Sequence, residues 1–324
     1  MKEGNFYKGY TLQRSEFERW LLKKVEKTGA KVIKGANLVN LITDNSHEVK
    51  EAIIEKKTRT FRIKPSIIIA ADGVESNIGE MLGVIEDKNG IGYAHSWEME
   101  NLSIKDPHLE QIYFGDFSPG SYAYVFPKSR TSANVGVAST NKDEKSLEED
   151  FDRFVNEVIP SQTKDAEKTI DKSGRVPSKY NIPPSKWQYR NVLFTGDAAN
   201  QNIKPYVEGI LPAMICGDLA GKTAVNGGKN YLGMVRKKVG NLFDEGDVIF
   251  KLNNKINKFE KEKRYLLRLH LWVFRNEKKT KKISRYESER IKREIKKENT
   301  SLKNFTDSLG FYLWYLKAIL TGKA

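Results

Sequence analysis

Residues 191–224 read NVLFTGDAANQNIKPYVEGILPAMICGDLAGKTA, and the fold turns on how this stretch is read. Val192, Leu193 and Phe194 make a short apolar run that reads as the end of a buried strand. Gly196, Asp197, Ala198 and Ala199 follow at once, then a polar loop over residues 200–204 and Pro205. From Gly209 onward, Ile210, Leu211, Ala213, Met214, Ile215, Gly217, Leu219 and Ala220 predict a helix of apolar and small residues. A helix start offers unpaired N–H groups and the positive end of a dipole, which suit an anion. Asp197, at a strand end, suits a sugar hydroxyl, because a carboxylate accepts hydrogen bonds strongly. Spacing alone fits an ordinary strand, turn and helix with a capping Asp equally well.

A second acidic turn lies upstream. Residues 67–70 form a continuous apolar strand, followed by Ala71, Asp72, Gly73, Val74, Glu75 and Ser76. Asp72 closes the strand end, and Gly73 permits a tight turn into a helix. Before it, residues 16–28 have helical apolar spacing at Phe17, Trp20, Leu21 and Val25; Gly29 closes that helix, and residues 31–33 read as a strand. Residues 49–54 and 58–63 predict a hairpin around residues 55–57.

Between the two acidic turns, residues 111–114, 122–127 and 133–138 read as strands, with turns at 119–120 and 128–131. Together they predict an antiparallel sheet with an aromatic face at Tyr122, Tyr124 and Phe126, and a helix over residues 148–158 packs on it. Residues 172–177 read as a return strand or linker.

Length and composition narrow the class. A chain of 324 residues builds one large or two medium domains. Its single cysteine, Cys216, excludes an internal disulfide framework and a cysteine-based zinc site, and its place in the small-residue helix reads as a buried small hydrophobe. No stretch approaches about 20 apolar residues, and residues 1–10 lack the apolar core of a signal peptide, so a cytoplasmic location is expected, with peripheral attachment to the inner membrane face as its variant. Residues 1–228 carry as many acidic as basic side chains, so the whole net charge of +14 falls in residues 229–324. That last third is helical in pattern and ends in an aromatic run, Phe311 to Leu316, beside lysines. It fits an interfacial helix on an anionic membrane or a charged hairpin packed on the body; no motif supports nucleic acid.

Three of these strings resemble one family. The Gly196–Asp197 stretch, with Pro205, Gly209 and Ile210, resembles the GDAA…P…GI motif of flavin-dependent oxidoreductases of the aromatic-hydroxylase type, although Val207 stands where the family usually has a glycine. Ala71, Asp72, Gly73 and Ser76 resemble its Ala-Asp-Gly-x-x-Ser signature. Residues 119–128, PGSYAYVFPK, resemble the Pro-x-x-Tyr-x-Trp-x-Phe-Pro-Lys motif of geranylgeranyl reductases, including the archaeal digeranylgeranylglycerophospholipid reductases, with Tyr124 in place of the Trp.

The resemblance implies an α/β (α+β) fold: an incomplete FAD-binding Rossmann-like domain over residues 1–90 and 180–228, an antiparallel substrate sheet over 91–179 and a basic helical region over 229–324. It implies that Arg14, Asp72, Gly73, Gly196, Asp197 and Ala198 hold FAD and that Gly209 and Ile210 face its ring. Tyr122, Tyr124, Phe126 and Pro127 would shape the substrate end. The implied activity is FAD-dependent saturation of C=C bonds in isoprenoid lipid chains, driven by an electron donor the residues do not specify; no catalytic proton donor and no metal site is assigned. His95 and His108 read as structural. Relatives begin with a βαβ unit bearing Gly-x-Gly-x-x-Gly, a hexad found nowhere in this chain, so that unit is expected to be missing or supplied elsewhere. Two other readings share these residues: a flavin-dependent monooxygenase, and a truncated, non-catalytic relative that binds lipid or membrane without FAD.

Overall fold

A computed structural model describes residues 11–85, 91–113, 115, 117–118, 121–139, 144–177, 182–204 and 207–256. Residues 8–240 form one compact unit, and the end of the last helix, from residue 241, belongs to a second. Pro119, Gly120, Pro205 and the expected interfacial helix of the basic tail lie outside the described residues.

In chain order, helix α1 (Arg14–Lys27) precedes an antiparallel meander of β1 (Asn37–Thr43), β2 (Val49–Lys56) and β3 (Arg59–Ile63). The expected hairpin is β2–β3, closed by a left-handed Lys57. The strand expected at residues 31–33 does not form: those residues pair with nothing described, and the chain enters β1 only after a left-handed turn at Gly35.

A short strand, β4 (Ile68–Ala70), leads through the Asp72 turn to α2 (Asn77–Met81). The chain then builds a six-stranded antiparallel sheet from β5 (Ile91–Glu100), β6 (Gln111–Tyr113), β7 (Ala123–Pro127) and β8 (Ala133–Ser139), then α3 (Glu144–Arg153), α4 (Pro160–Thr163), β9 (Glu167–Asp171) and β10 (Gly174–Pro177). The long β5 takes β8 on one edge and both β9 and β10, end to end, on the other. The predicted helix starts earlier than residue 148 and passes at Phe154 into a π-helical turn, Phe154–Val158.

Period-two alternation sorts this sheet into two faces. Ala123, Val125, Val135 and Val137 point to one, where Leu147, Phe151 and Phe154 of the α3 segment, at helical spacing, seal the core. Burying each such side chain stabilises the unit by roughly 1.5–3 kcal/mol. The opposite face carries Tyr122, Tyr124 and Phe126.

The chain returns through β11 (Gln188–Tyr189) to β12 (Val192–Phe194), the 3₁₀ turn Gly196–Ala199, α5 (Ile210–Val225) and α6 (Tyr231–Ile256). Strand β12 lies parallel to β4, with Phe194 beside Ala70. Asn191 fastens this small sheet to the meander: its side chain accepts from Val49 N and donates to Val49 O, both at 2.9 Å. No helix among the described residues is long and apolar enough to cross a membrane.

Candidate cofactor and substrate site

The two acidic turns leave neighbouring parallel strands at the same end. Beyond the β4–β12 pairing, Thr195 N still donates to Ala70 O at 2.9 Å, so the turns at Ala71 and Gly196 start side by side. The C-terminal ends of parallel strands are where open α/β sheets bind ligands. A groove of about 480 Å³ lined by Val49, Lys64, Ser66 and Asn191 lies at the other end of these strands, away from the turns.

The turns are built differently. Asp72 serves its own loop: Oδ1 accepts from Ser76 Oγ at 2.7 Å and Oδ2 from Ile78 N at 3.0 Å, while Ser76 Oγ caps α2 by accepting from Gly79 N. Gly73 has φ +86°, so only glycine turns there without strain. Asp72 therefore fixes the shape of the first turn.

No hydrogen bond from a described residue reaches the Asp197 carboxylate. It keeps contact with solvent, yet the surrounding protein crowds it. Desolvation raises its pKa above the ordinary carboxylate value, and the charge of Arg14 opposes the rise. Gly209, the N-cap of α5, makes room for it: a Cβ there would stand 3.2 Å from Asp197 Oδ1. An acceptor without a hydrogen-bond partner among the described residues, beside a helix N-terminus, fits the hydroxyl and phosphate groups of a nucleotide.

Gly196 and Ala198 are buried in the turn, and Ile210 is half-exposed at the first position of α5. Arg14 opens α1 and gives two hydrogen bonds to Glu18, at 3.1 and 2.8 Å, rather than pairing with Asp197.

The polar loop after Asp197 is an internal brace, which composition did not disclose. Asn200, Gln201, Asn202 and Lys204 are all buried. Gln201 Oε1 accepts from Gly196 N at 3.0 Å, and its Nε2 donates to Tyr231 Oη at 3.2 Å, locking the turn to the start of α6. Burial pushes the Tyr231 hydroxyl up to about 12, with hydrogen bonds to Thr195 and Gln201 opposing the rise. Val207, in the glycine position of the family motif, adopts φ +55°, so the chain keeps the glycine-type backbone with a β-branched residue.

On the substrate sheet the aromatic residues form a continuous stripe. Tyr122 and Tyr124 have ring centroids 6.0 Å apart, and Tyr124 stacks on Phe126 at 4.3 Å. Tyr124 lies over Gly136, where a Cβ would come within 2.5 Å of its ring. Burial raises the Tyr124 hydroxyl pKa; a hydrogen bond with Ser96 lowers it and the charge of Glu98 raises it. Pro127 alternates to the buried face, and its carbonyl accepts from Thr11 Oγ1 at 3.0 Å.

His95 is structural. Trp97 Nε1 donates to its Nε2 at 3.2 Å, which leaves Nδ1 as the donor to Ser173 Oγ at 3.0 Å. Ser173 Oγ also accepts from Ser96 N and is bonded to Asp171, so this Ser, His and Asp set ties β5 to the β9–β10 bend and offers no free nucleophile. His108 is exposed, and its backbone N–H donates to Asp106 Oδ1 at 2.9 Å. Cys216 is fully buried, and burial pushes its thiol up to about 12. Among the described residues no cluster of His, Cys, Asp or Glu can hold a metal ion.

Comparison with known proteins agrees with this geometry. A geranylgeranyl bacteriochlorophyll reductase-like protein from Thermoplasma acidophilum superposes with a TM-score of 0.68 at 26% identity, over 79% of this chain and 66% of its own. The flavin-dependent brominase Bmp2, at 15% identity and a TM-score of 0.61, covers 82% of this chain and 70% of its own and shares the fold alone. The architecture is thus that of the flavin-dependent oxidoreductases of the aromatic-hydroxylase type.

Residues 91–175 match the model of the geranylgeranyl reductase catalytic domain. The digeranylgeranylglycerophospholipid reductase of Methanocaldococcus jannaschii is 34% identical over 220 residues, covering 67% of this chain and 55% of the relative. That of Methanococcus aeolicus is 31% identical over 224 residues, covering 68% and 56%. The chain spans about half the length of the curated relatives it matches.

Proposed function

We propose that this protein is an FAD-dependent reductase that saturates C=C bonds in isoprenoid chains of membrane lipids. The observation that carries the reading is the pair of turns on adjacent parallel strands, one of them with an Asp197 carboxylate that has no hydrogen-bond partner among the described residues, beside a catalytic-domain match over residues 91–175. Reduced FAD, when bound, supplies the hydride for one alkene carbon, and a proton completes the other.

The chain's own residues position both reactants. Asp197 and the N-terminus of α5 at Gly209 and Ile210 receive the cofactor; Gly196 and Ala198 shape that turn. Asp72 and Gly73 hold the neighbouring turn open, and Arg14 balances the charge of Asp197. The Tyr122, Tyr124 and Phe126 stripe gives an apolar bed for an isoprenoid chain. Pro127, facing the core, holds the end of β7. Residues 1–90 and 180–228 thus make the cofactor half and residues 91–179 the substrate half. The basic residues of 229–324 favour an anionic membrane surface on the inner face, where each is worth about 1 kcal/mol.

The test is reconstitution with FAD, reduction by dithionite and incubation with a geranylgeranyl lipid. A mass gain of two hydrogens per double bond supports the reading. FAD bound without that gain, or oxygen incorporation with NADPH, overturns it.

A further inference from the structure

We propose that Lys128 is a positioning residue: it clamps the arm of residues 11–14 onto the six-stranded sheet and so sets the position of Arg14 at the start of α1. The first half of this stands on geometry alone; its consequence for the cofactor rests on the function proposed above.

Lys128 lies two residues beyond Phe126, at the end of the aromatic stripe. Its side chain is mostly covered, 15% exposed, and that of its partner Glu98 is 13% exposed. Glu98 sits on β5, on the far side of Asn134 from Phe126, since both residues are in register with Asn134. Lys128 Nζ donates to Glu98 Oε2 at 2.5 Å and to Gln13 Oε1 at 3.0 Å. An ammonium has three donors and no acceptor, so one lysine can serve a carboxylate and an amide oxygen together.

A second tie closes beside the first, where Thr11 Oγ1 donates to Pro127 O. Gln13 is also the N-cap of α1, its carbonyl accepting from Glu16 N and Phe17 N at 3.0 Å. Anchoring Gln13 therefore fixes the first turn of α1, and with it Arg14. This matters because no residue of α1 is buried. The clamp links the six-stranded sheet to the first turn of α1 through Glu98, Lys128 and Gln13. The charge of Arg14 opposes the rise that desolvation causes in the Asp197 pKa.

The experiment is amide hydrogen exchange on the full chain, with 13C NMR of the Asp197 carboxyl as the second readout. Gln13→Leu cuts only the arm, leaving the Lys128–Glu98 pair intact; Lys128→Met cuts both; Gln13→Glu keeps an acceptor for the lysine. Gln13→Leu and Lys128→Met are expected to speed exchange of residues 14–20 by about tenfold or more and leave residues 133–139 unchanged, while Gln13→Glu keeps the arm protected. The Asp197 carboxyl is expected to titrate at higher pH in the two cutting variants, because the charge of Arg14, which opposes the rise there, is no longer held in place. Unchanged exchange in the arm, equal acceleration across β5 and β8, or an unmoved Asp197 titration would each overturn the proposal. A clamp that behaves as expected in a chain that takes up no FAD leaves the clamp standing and removes only the proposed function.

Discussion

The six-stranded sheet and the β4–β12 sheet face the same problem of covering apolar surface, and the described residues solve it for only one of them. In the first, Leu147, Phe151 and Phe154 close one face, and Val125, Val135 and Val137 are fully buried beneath them. In the second, β12 is buried, but Ile69, the middle residue of β4, remains 40% exposed. Helix α5 is apolar on most of its circumference, yet Leu211 and Met214 face outward. A helix of that composition belongs inside a larger body. The six-stranded sheet carries its own core, whereas the two acidic turns, proposed above to receive the cofactor, sit on a surface that still presents apolar groups.

The largest effect that can break this contrast is the loss of the substrate core. Phe151→Ala is expected to cost about 3–5 kcal/mol in urea unfolding. A cost below about 1 kcal/mol would show that the sheet does not depend on α3. Next, Gly136→Ala should cost about 1–3 kcal/mol, because the new methyl group meets the Tyr124 ring backed by Phe126. A change in near-ultraviolet circular dichroism should accompany it; neutral stability would mean that the stripe is loose.

On the cofactor side the sign reverses. Val207→Gly should stabilise the chain by about 1 kcal/mol, since it relieves a left-handed β-branched residue and gives back part of the gain as glycine entropy. A loss of stability would mean that Val207 packing outweighs the strain. The smallest effect is expected at the open surface. Leu211→Glu, at a residue 61% exposed, should change stability by less than about 0.5 kcal/mol. A loss of several kcal/mol would show that this face is already covered.

Much of this division was legible in the sequence because it depends on period and on turn chemistry. Alternation gave Tyr122, Tyr124 and Phe126 a common face, and Asp72-Gly73 and Gly196-Asp197 marked strand ends. Other features depend on partners far away in the chain. Strand β9, EKTID, is exposed at every position and has no apolar rhythm; it becomes a strand only by pairing with β5. Gln201 looked like loop polarity, because its value lies in reaching Tyr231 across thirty residues. Lys128 looked like the end of a motif, while its chemistry is set by Glu98 and Gln13 on separate segments. Val207 showed the converse: a β-branched residue in the left-handed backbone that favours glycine.

The most direct measurement is a titration of FAD followed by amide chemical shifts of the full chain, which detects even weak binding. The account predicts that the shifts concentrate at residues 196–199 and 209–211 and at Arg14, and that Asp197→Ala abolishes them while the β5 and β8 core stays still. Shifts absent from these residues, or unchanged by Asp197→Ala, would contradict it.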